Sequence, residues 1–277
     1  EIFPNRPDML SEQGFGRALS SFIGVKTGLR KYNVKKSGEK VFVSKEMTSV
    51  RPYTVCALIK NLKLDDEKVR EIIQIQEKLH VTFCRKRKKA AIGIYPLENI
   101  KLPIYFCARK PEDIVFRPLE WNKKINAKQI LEQHPTGKEY KHLVKGMKKY
   151  ALFHDANNEI LSFTPVINSH HTGKITDSTK EAFLEVSGFD LHTANYVLNI
   201  MVTSLADMGA DIYSMEVIYP NETMVTPDLS ERKMKFSLSY INKWLGLNLD
   251  EKKLKKLLGN MGYGYEKGHA LIPCYRP

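Results

Sequence analysis

Apolar runs short enough for strands lie among helices with one apolar face, in no regular alternation, and this predicts an α+β fold, or α/β with a mixed sheet. Length points the same way, since 277 residues exceed one small core and two or three domains are expected. A hydrophobic fraction of 42% and an aromatic fraction of 10% describe a folded, soluble chain. No apolar run approaches the roughly 20 residues of a membrane span, and no signal peptide is recognisable. The chain opens on Glu1 without methionine and stops at Pro277, which reads as a fragment of a longer protein.

The elements follow in order. Pro-Asn-Arg-Pro-Asp over 4–8 makes a rigid turn, and Ser11 caps a helix with Phe15, Leu19, Phe22 and Ile23 on one face. Residues 24–40 are basic and glycine-bearing and read as a linker. Residues 53–62 are β-branched and alternating enough for a strand. Asp65 and Asp66 start a helix with Val69, Ile72, Ile73, Gln76, Leu79 and His80 inward. Residues 92–95, 104–107 and 114–116 are short strands, and 127–133 a small helix. Pro135 and Gly137 break it, and a further helix is expected over 139–147. Ala156-Asn157-Asn158 between the apolar runs 152–155 and 159–163 is hairpin chemistry, because asparagine tolerates left-handed backbone. A strand over 182–186, a long helix over 192–208 and a strand over 212–219 follow. The proline-bearing stretch 220–231 is a boundary, and 237–262 holds two short helices around Gly246-Leu247-Asn248. Domains are therefore expected over 1–44, 45–220 and 221–277.

Charge is the strongest compositional signal. Lys+Arg number 44 against Asp+Glu 31, a net charge of +13 that favours a nucleic acid or another polyanion. Five consecutive cations, Arg85 to Lys89, sit between a helix and an apolar strand. Like charges that close repel and gain nothing from folding, so the block suits a phosphate backbone, although a solvated turn is the ordinary reading of a charge run. Cys56, Cys84, Cys107 and Cys274 are too scattered for a disulfide frame or zinc site and fit reduced thiols of a cytosolic protein.

Familiar catalytic motifs are absent: no Gly-x-Ser-x-Gly, phosphate loop or dinucleotide fingerprint. His170 and His171 are adjacent and point apart, as surface histidines do, and Asp177, Ser178 and Thr179 suit a helix cap. Two segments are polar where a core strand is apolar. One carries Ser162, Thr164 and Asn168; the other alternates so that Phe183, Glu185 and Ser187 share a face. Such a face is usually the wet side of a sheet, and the functional alternative is a pocket with an aromatic wall and a hydrogen-bonding floor.

Ordered blocks across nearly the whole chain carry a family resemblance. They are Asn5-Arg6-Pro7-Asp8-Met9-Leu10-Ser11 with Gly14 and Arg17; Gln76-Glu77-Lys78-Leu79-His80 with Arg85–Lys89 and Ala91-Ile92-Gly93-Ile94; Leu161 to Ser169 with Glu185-Val186-Ser187-Gly188-Phe189-Asp190; and Tyr240 to Gly246 with Met261-Gly262-Tyr263. Together they resemble the β subunit of cytosolic phenylalanyl-tRNA synthetase of the archaeal and eukaryotic type. The resemblance implies a mixed-sheet editing domain over 45–220, hydrolysing tyrosine mischarged on phenylalanine tRNA, with a partial N-terminal segment and a small C-terminal helical, winged-helix-like domain beside it. It implies Asn168 and Ser162 at the reacting ester, Phe153, Thr164, Glu185 and Ser187 around the side-chain pocket, with Glu185 reading the tyrosine hydroxyl, and Gln76, Arg85, Arg87 and Lys88 facing the tRNA. No nucleophile is offered, so the expectation is attack by a positioned water with help from the ribose hydroxyl of the terminal adenosine. Phe153 stands where leucine is usual, Ser187 where threonine is, and Phe189 where Gly-Thr-Asp is usual.

By the same resemblance, editing takes no metal or cofactor. Aminoacylation by the parent enzyme, cytoplasmic and an α2β2 heterotetramer, uses ATP, magnesium and an α subunit outside this chain. The competing expectations are a non-catalytic tRNA- or RNA-binding scaffold and a module that only holds the α subunit.

Overall fold

The computed structural model describes residues 2–277. In chain order the elements are α1 (Glu12–Phe22), β1 (Val34–Val43), α2 (Met47–Val50), β2 (Tyr53–Lys60), α3 (Asp66–Val81), β3 (Ala90–Pro96), β4 (Ile104–Arg109), β5 (Val115–Phe116), β6 (Ile125–Asn126), α4 (Ala127–Gln133) and α5 (Pro135–Tyr140). Then come β7 (Tyr150–His154), β8 (Ile160–Thr164), β9 (Ile167–Asn168), β10 (Ala182–Gly188), α6 (Leu191–Asp207), β11 (Asp211–Ile218), β12 (Thr223–Thr226), β13 (Arg232–Lys235), α7 (Leu238–Leu245), α8 (Glu251–Asn260), β14 (Gly264–Glu266) and β15 (His269–Ile272). The fold is mixed α+β, as expected.

A ten-stranded mixed sheet organises the molecule, in the order β3-β10-β2-β11-β1-β4-β7-β8-β9, with β12 also paired to β11. Only the pairings of β1 with β11 and with β4 are parallel. Residues 24–40 are thus not all linker: from Val34 onward they form a central strand. The run Lys35-Lys36-Ser37-Gly38-Glu39-Lys40 has no apolar alternation to betray it; pairing with β11 holds it, and β4 joins on the other side at Val41–Val43.

Strand β10 decides how the site is read. Leu184 and Val186 face α3 and α6, packing with Ile72, Leu79, Val197 and Met201. Phe183 faces the other way, into a second core with Tyr95, Phe106 and Phe153. All seven residues of β10 are buried, with Glu185 2% exposed and Ser187 0%. The period-two pattern holds, but the face expected to be wet is a second interior, closed by β7 and β8.

Three local expectations change. The apolar stripe of α1 faces outward, with Phe15, Leu19, Phe22 and Ile23 exposed. Inward goes Arg17, 3.0 Å from Asp207 and 3.9 Å from the centre of the Tyr275 ring, so its desolvated charge is compensated on two sides. Helix α4 ends at Gln133, ahead of Pro135, as expected, but Pro135 also begins α5, because proline at the first helical position lacks only an amide that would be unpaired anyway; α5 ends at Tyr140, in place of the helix expected over 139–147. Residues 221–277 are not purely helical: α7 and α8 accompany the three-stranded sheet β13-β15-β14. Strand β13 is exposed throughout, which hides it from a hydrophobic pattern.

Candidate functional site

A cavity of about 360 Å³ opens beside the β8–β9 end of the sheet, and Gln76, Ser162, Thr164, Asn168 and Glu185 line it. Register explains the convergence. Phe153 pairs with Ser162 across β7 and β8, Ser162 with Asn168 across β8 and β9, and Glu185 with Gly93 across β10 and β3. Residues two apart on β8 share a face, so the Ser162 and Thr164 hydroxyls meet at 3.0 Å.

Glu185 is a buried carboxyl in the lining. Its Oε1 accepts a hydrogen bond from the Tyr95 hydroxyl at 3.2 Å, while its buried Oε2 has no partner. Burial pushes this carboxyl up to about 8, against lowering by Arg51, Tyr95 and Ser187. Raised in this way, the carboxyl keeps its proton to higher pH than a solvated one and can donate as well as accept toward a ligand. Gly93 makes the arrangement possible, since a methyl there would overlap both the Tyr95 hydroxyl and Glu185 Oε1.

Two expected pocket residues do not line the cavity. Phe153 is fully buried behind the wall, stacked on Phe106 with ring centres 4.2 Å apart and set edge-on to Phe183. Ser187 is committed to Arg51, whose Nε donates to its hydroxyl at 3.0 Å and whose Nη2 donates to its carbonyl at 2.6 Å. Arg51 is itself buried, and burial brings its guanidinium down to about 10, opposed by the Glu185 charge. It was invisible in sequence because a single arginine before a strand reads as surface.

The cationic block divides in two. Arg85 and Lys88 are exposed. Arg87 is not free: it donates to the Val166 carbonyl at 2.9 Å, pairs with Glu77 at 3.1 Å and lies 4.2 Å from the centre of the Tyr140 ring. It ties α3 to the Pro165–Val166 wall. Gln76 also turns inward, donating to the Ile92 carbonyl at 2.9 Å, although it still lines the cavity. Arg85, Lys86 and Arg87 all have left-handed backbone, with φ of 50°, 52° and 62°. That conformation costs a residue bearing a Cβ about 1 kcal/mol or more. Lys86→Gly is expected to raise unfolding stability by about 0.5–1 kcal/mol in urea titrations. Unchanged or lower stability would show that the turn is unstrained.

Of the two histidines read as surface groups, one belongs to the cavity. His170 lines the cavity, and its Nδ1 is buried without a partner; His171 is exposed. His134 also lines it, but its Nδ1 accepts from the Thr136 amide at 3.2 Å and its Nε2 lies 3.1 Å from the Leu119 carbonyl. His80 Nε2 accepts from the Ile92 amide at 2.9 Å, so it is structural. No hydroxyl in the cavity is hydrogen-bonded to a histidine in the manner of an activated nucleophile. Among the described residues no cluster of three or more His, Cys, Asp or Glu is placed to hold a metal ion.

The chain is 41% identical over 277 residues to the phenylalanine–tRNA ligase β subunit of Pyrococcus abyssi, covering 98% of this chain and 50% of that protein. It is 36% identical over 280 residues to the corresponding subunit of Archaeoglobus fulgidus, covering 100% of this chain and 51% of that protein. It thus spans about half the length of the curated relatives it matches. The crystal structure of an N-terminal fragment of the phenylalanyl-tRNA synthetase β subunit from Pyrococcus horikoshii superposes with a TM-score of 0.95 at 38% identity, covering 99% of this chain and 80% of that one. No family model matches the chain.

Proposed function

This chain belongs to the phenylalanine–tRNA ligase β-subunit family, and on that premise we propose that it is the part of such a subunit that hydrolyses tyrosine mistakenly esterified to phenylalanine tRNA. The observation that carries the reading is the cavity with one unpartnered carboxyl oxygen, Glu185 Oε2, beside it, lined also by residues of α3 and by Arg87 of the cationic turn. A tyrosyl side chain brings a hydroxyl to that oxygen; a phenylalanyl side chain leaves it buried and unpaired, which costs about 1–3 kcal/mol. Such discrimination is needed because an apolar synthetic pocket rejects an added hydroxyl by only about 100-fold.

In the proposed reaction, water adds to the ester carbonyl carbon. The bond from that carbon to the ribose oxygen breaks, the departing oxygen takes up a proton, and free tyrosine leaves. Asn168 and Ser162 orient the ester and the attacking water, Thr164 supports Ser162 through their hydroxyl contact, and Glu185 selects the side chain. Phe153 acts from behind the wall and Ser187 through Arg51. Arg85 and Lys88 meet the tRNA backbone, while Gln76 and Arg87 shape the entrance.

The hydrolytic unit is the ten-stranded sheet with its helices. It includes β1 and β12, wider at both ends than 45–220. Residues 221–277, with two helices and a three-stranded sheet, form the winged-helix-like neighbour. Charging of the tRNA with ATP and magnesium belongs to the cytoplasmic α2β2 enzyme, with the α subunit supplying the part absent from this chain.

The test is deacylation of tyrosine-charged phenylalanine tRNA by the purified chain. Release of tyrosine well above the spontaneous rate, with phenylalanine-charged tRNA spared, is the expected result. Binding of the tRNA without release favours the scaffold reading, which the exposed Arg85, Lys86 and Lys88 also suit.

A further inference from the structure

One buried tyrosine touches both ends of this site. Tyr95 is fully enclosed, its ring stacked on Phe183 with centres 5.8 Å apart. Its hydroxyl lies 3.2 Å from Glu185 Oε1 and 3.4 Å from Asn168 Oδ1. Tyr95 does not line the cavity; it reaches the floor from beneath, through the space that Gly93 leaves open.

A phenol carries one proton and donates it once. The shorter contact is to Glu185, so Oε1 is the accepting oxygen of that carboxyl. The remaining oxygen, Oε2, is buried and unpartnered. We propose that Tyr95 is a positioning residue that orients the Glu185 carboxyl and reserves Oε2 for the hydroxyl of a bound tyrosine side chain. The inference rests on the editing reading and adds to it the element that fixes which carboxyl oxygen does the reading. With Oε1 engaged as an acceptor, a proton on the carboxyl resides on Oε2. The uncharged acid then donates from Oε2 to the ligand's phenolic oxygen, and a phenylalanine side chain offers that proton nothing.

Among the described residues no other side chain is in hydrogen-bond geometry with the carboxyl, although Ser187 bears on its titration. Arg51, from the segment before β2, is spent on Ser187, and Cys56 of β2, opposite Glu185 in the register, is a buried thiol. Ser187 stands two residues along the same strand face and is held by Arg51.

Tyr95→Phe removes the hydroxyl and keeps the ring. Two readouts decide the matter. The first is infrared titration of the Glu185 carboxyl band, identified by its loss in Glu185→Gln. Because the phenolic hydrogen bond favours the ionised carboxylate, the midpoint is expected to rise in Tyr95→Phe. The second is deacylation: Tyr95→Phe should lower kcat/KM for tyrosine-charged tRNA about tenfold, mainly through KM, and leave the phenylalanine-charged tRNA unaffected. An unmoved infrared midpoint overturns the inference whether or not the chain edits. A moved midpoint with unchanged selectivity in an active protein overturns it as well. Absence of deacylation by the parent defeats the editing reading, and the infrared result still decides whether Tyr95 holds Glu185.

Discussion

Glu185→Gln is expected to be more stable than the parent at pH 8 and to lose that advantage at pH 4.5. The folded carboxyl keeps its proton up to about pH 8, whereas its ordinary value is 4.5. Between those values the folded chain binds more protons than the unfolded chain, so this group's contribution is full below 4.5 and lost as pH rises toward 8. Glutamine keeps the shape and the acceptor for Tyr95 but does not titrate. The stability difference between variant and parent should therefore grow across the window by on the order of 2–4 kcal/mol, with titrations common to both cancelling. Urea unfolding at several pH values measures it. A difference that stays flat with pH would mean that Glu185 ionises in the fold as freely as in water.

Gly93→Ala is expected to destabilise the protein by about 2–3 kcal/mol and to abolish tyrosine release. The added methyl overlaps the Tyr95 hydroxyl and Glu185 Oε1, and neither group can swing away because both are buried, Glu185 on β10 between β2 and β3 and Tyr95 on β3 against β10. Adding Tyr95→Phe to this variant should recover part of the stability by removing one of the overlapped atoms. Parent-like stability and activity in Gly93→Ala would show that the floor is looser than described.

Much of this was legible in sequence because it is local. The alternation Phe183-Glu185-Ser187, the cap at Ser11 and the helix begun by Asp65 and Asp66 are all short-range features, and all three are present. What stayed hidden depends on partners far along the chain. Whether a polar strand face is wet or interior depends on β7 and β8 closing over it, and no pattern within β10 reports that. Strand β1 lacks apolar alternation and is held by backbone bonds to β11 and β4. Arg87 stands among four other cations yet is the one drawn inward, by Glu77 and the 165–166 carbonyls. Family resemblance picked out candidate residues that periodicity could only call polar, and Ser162, Thr164, Asn168 and Glu185 line one cavity. It did not mark Tyr95, Arg51 or His170, whose parts come from geometry.

The most direct measurement of the central claim is the rate of tyrosine release from mischarged phenylalanine tRNA by the parent and by Glu185→Ala, with phenylalanine-charged tRNA as the reference. Loss of one buried hydrogen bond to the tyrosine hydroxyl predicts release slowed by roughly ten- to a hundredfold in Glu185→Ala, together with a fall in the preference for tyrosine over phenylalanine. Release at the parent rate with the preference intact, from a folded Glu185→Ala protein, would contradict the assignment of this cavity as the tyrosine-selecting site.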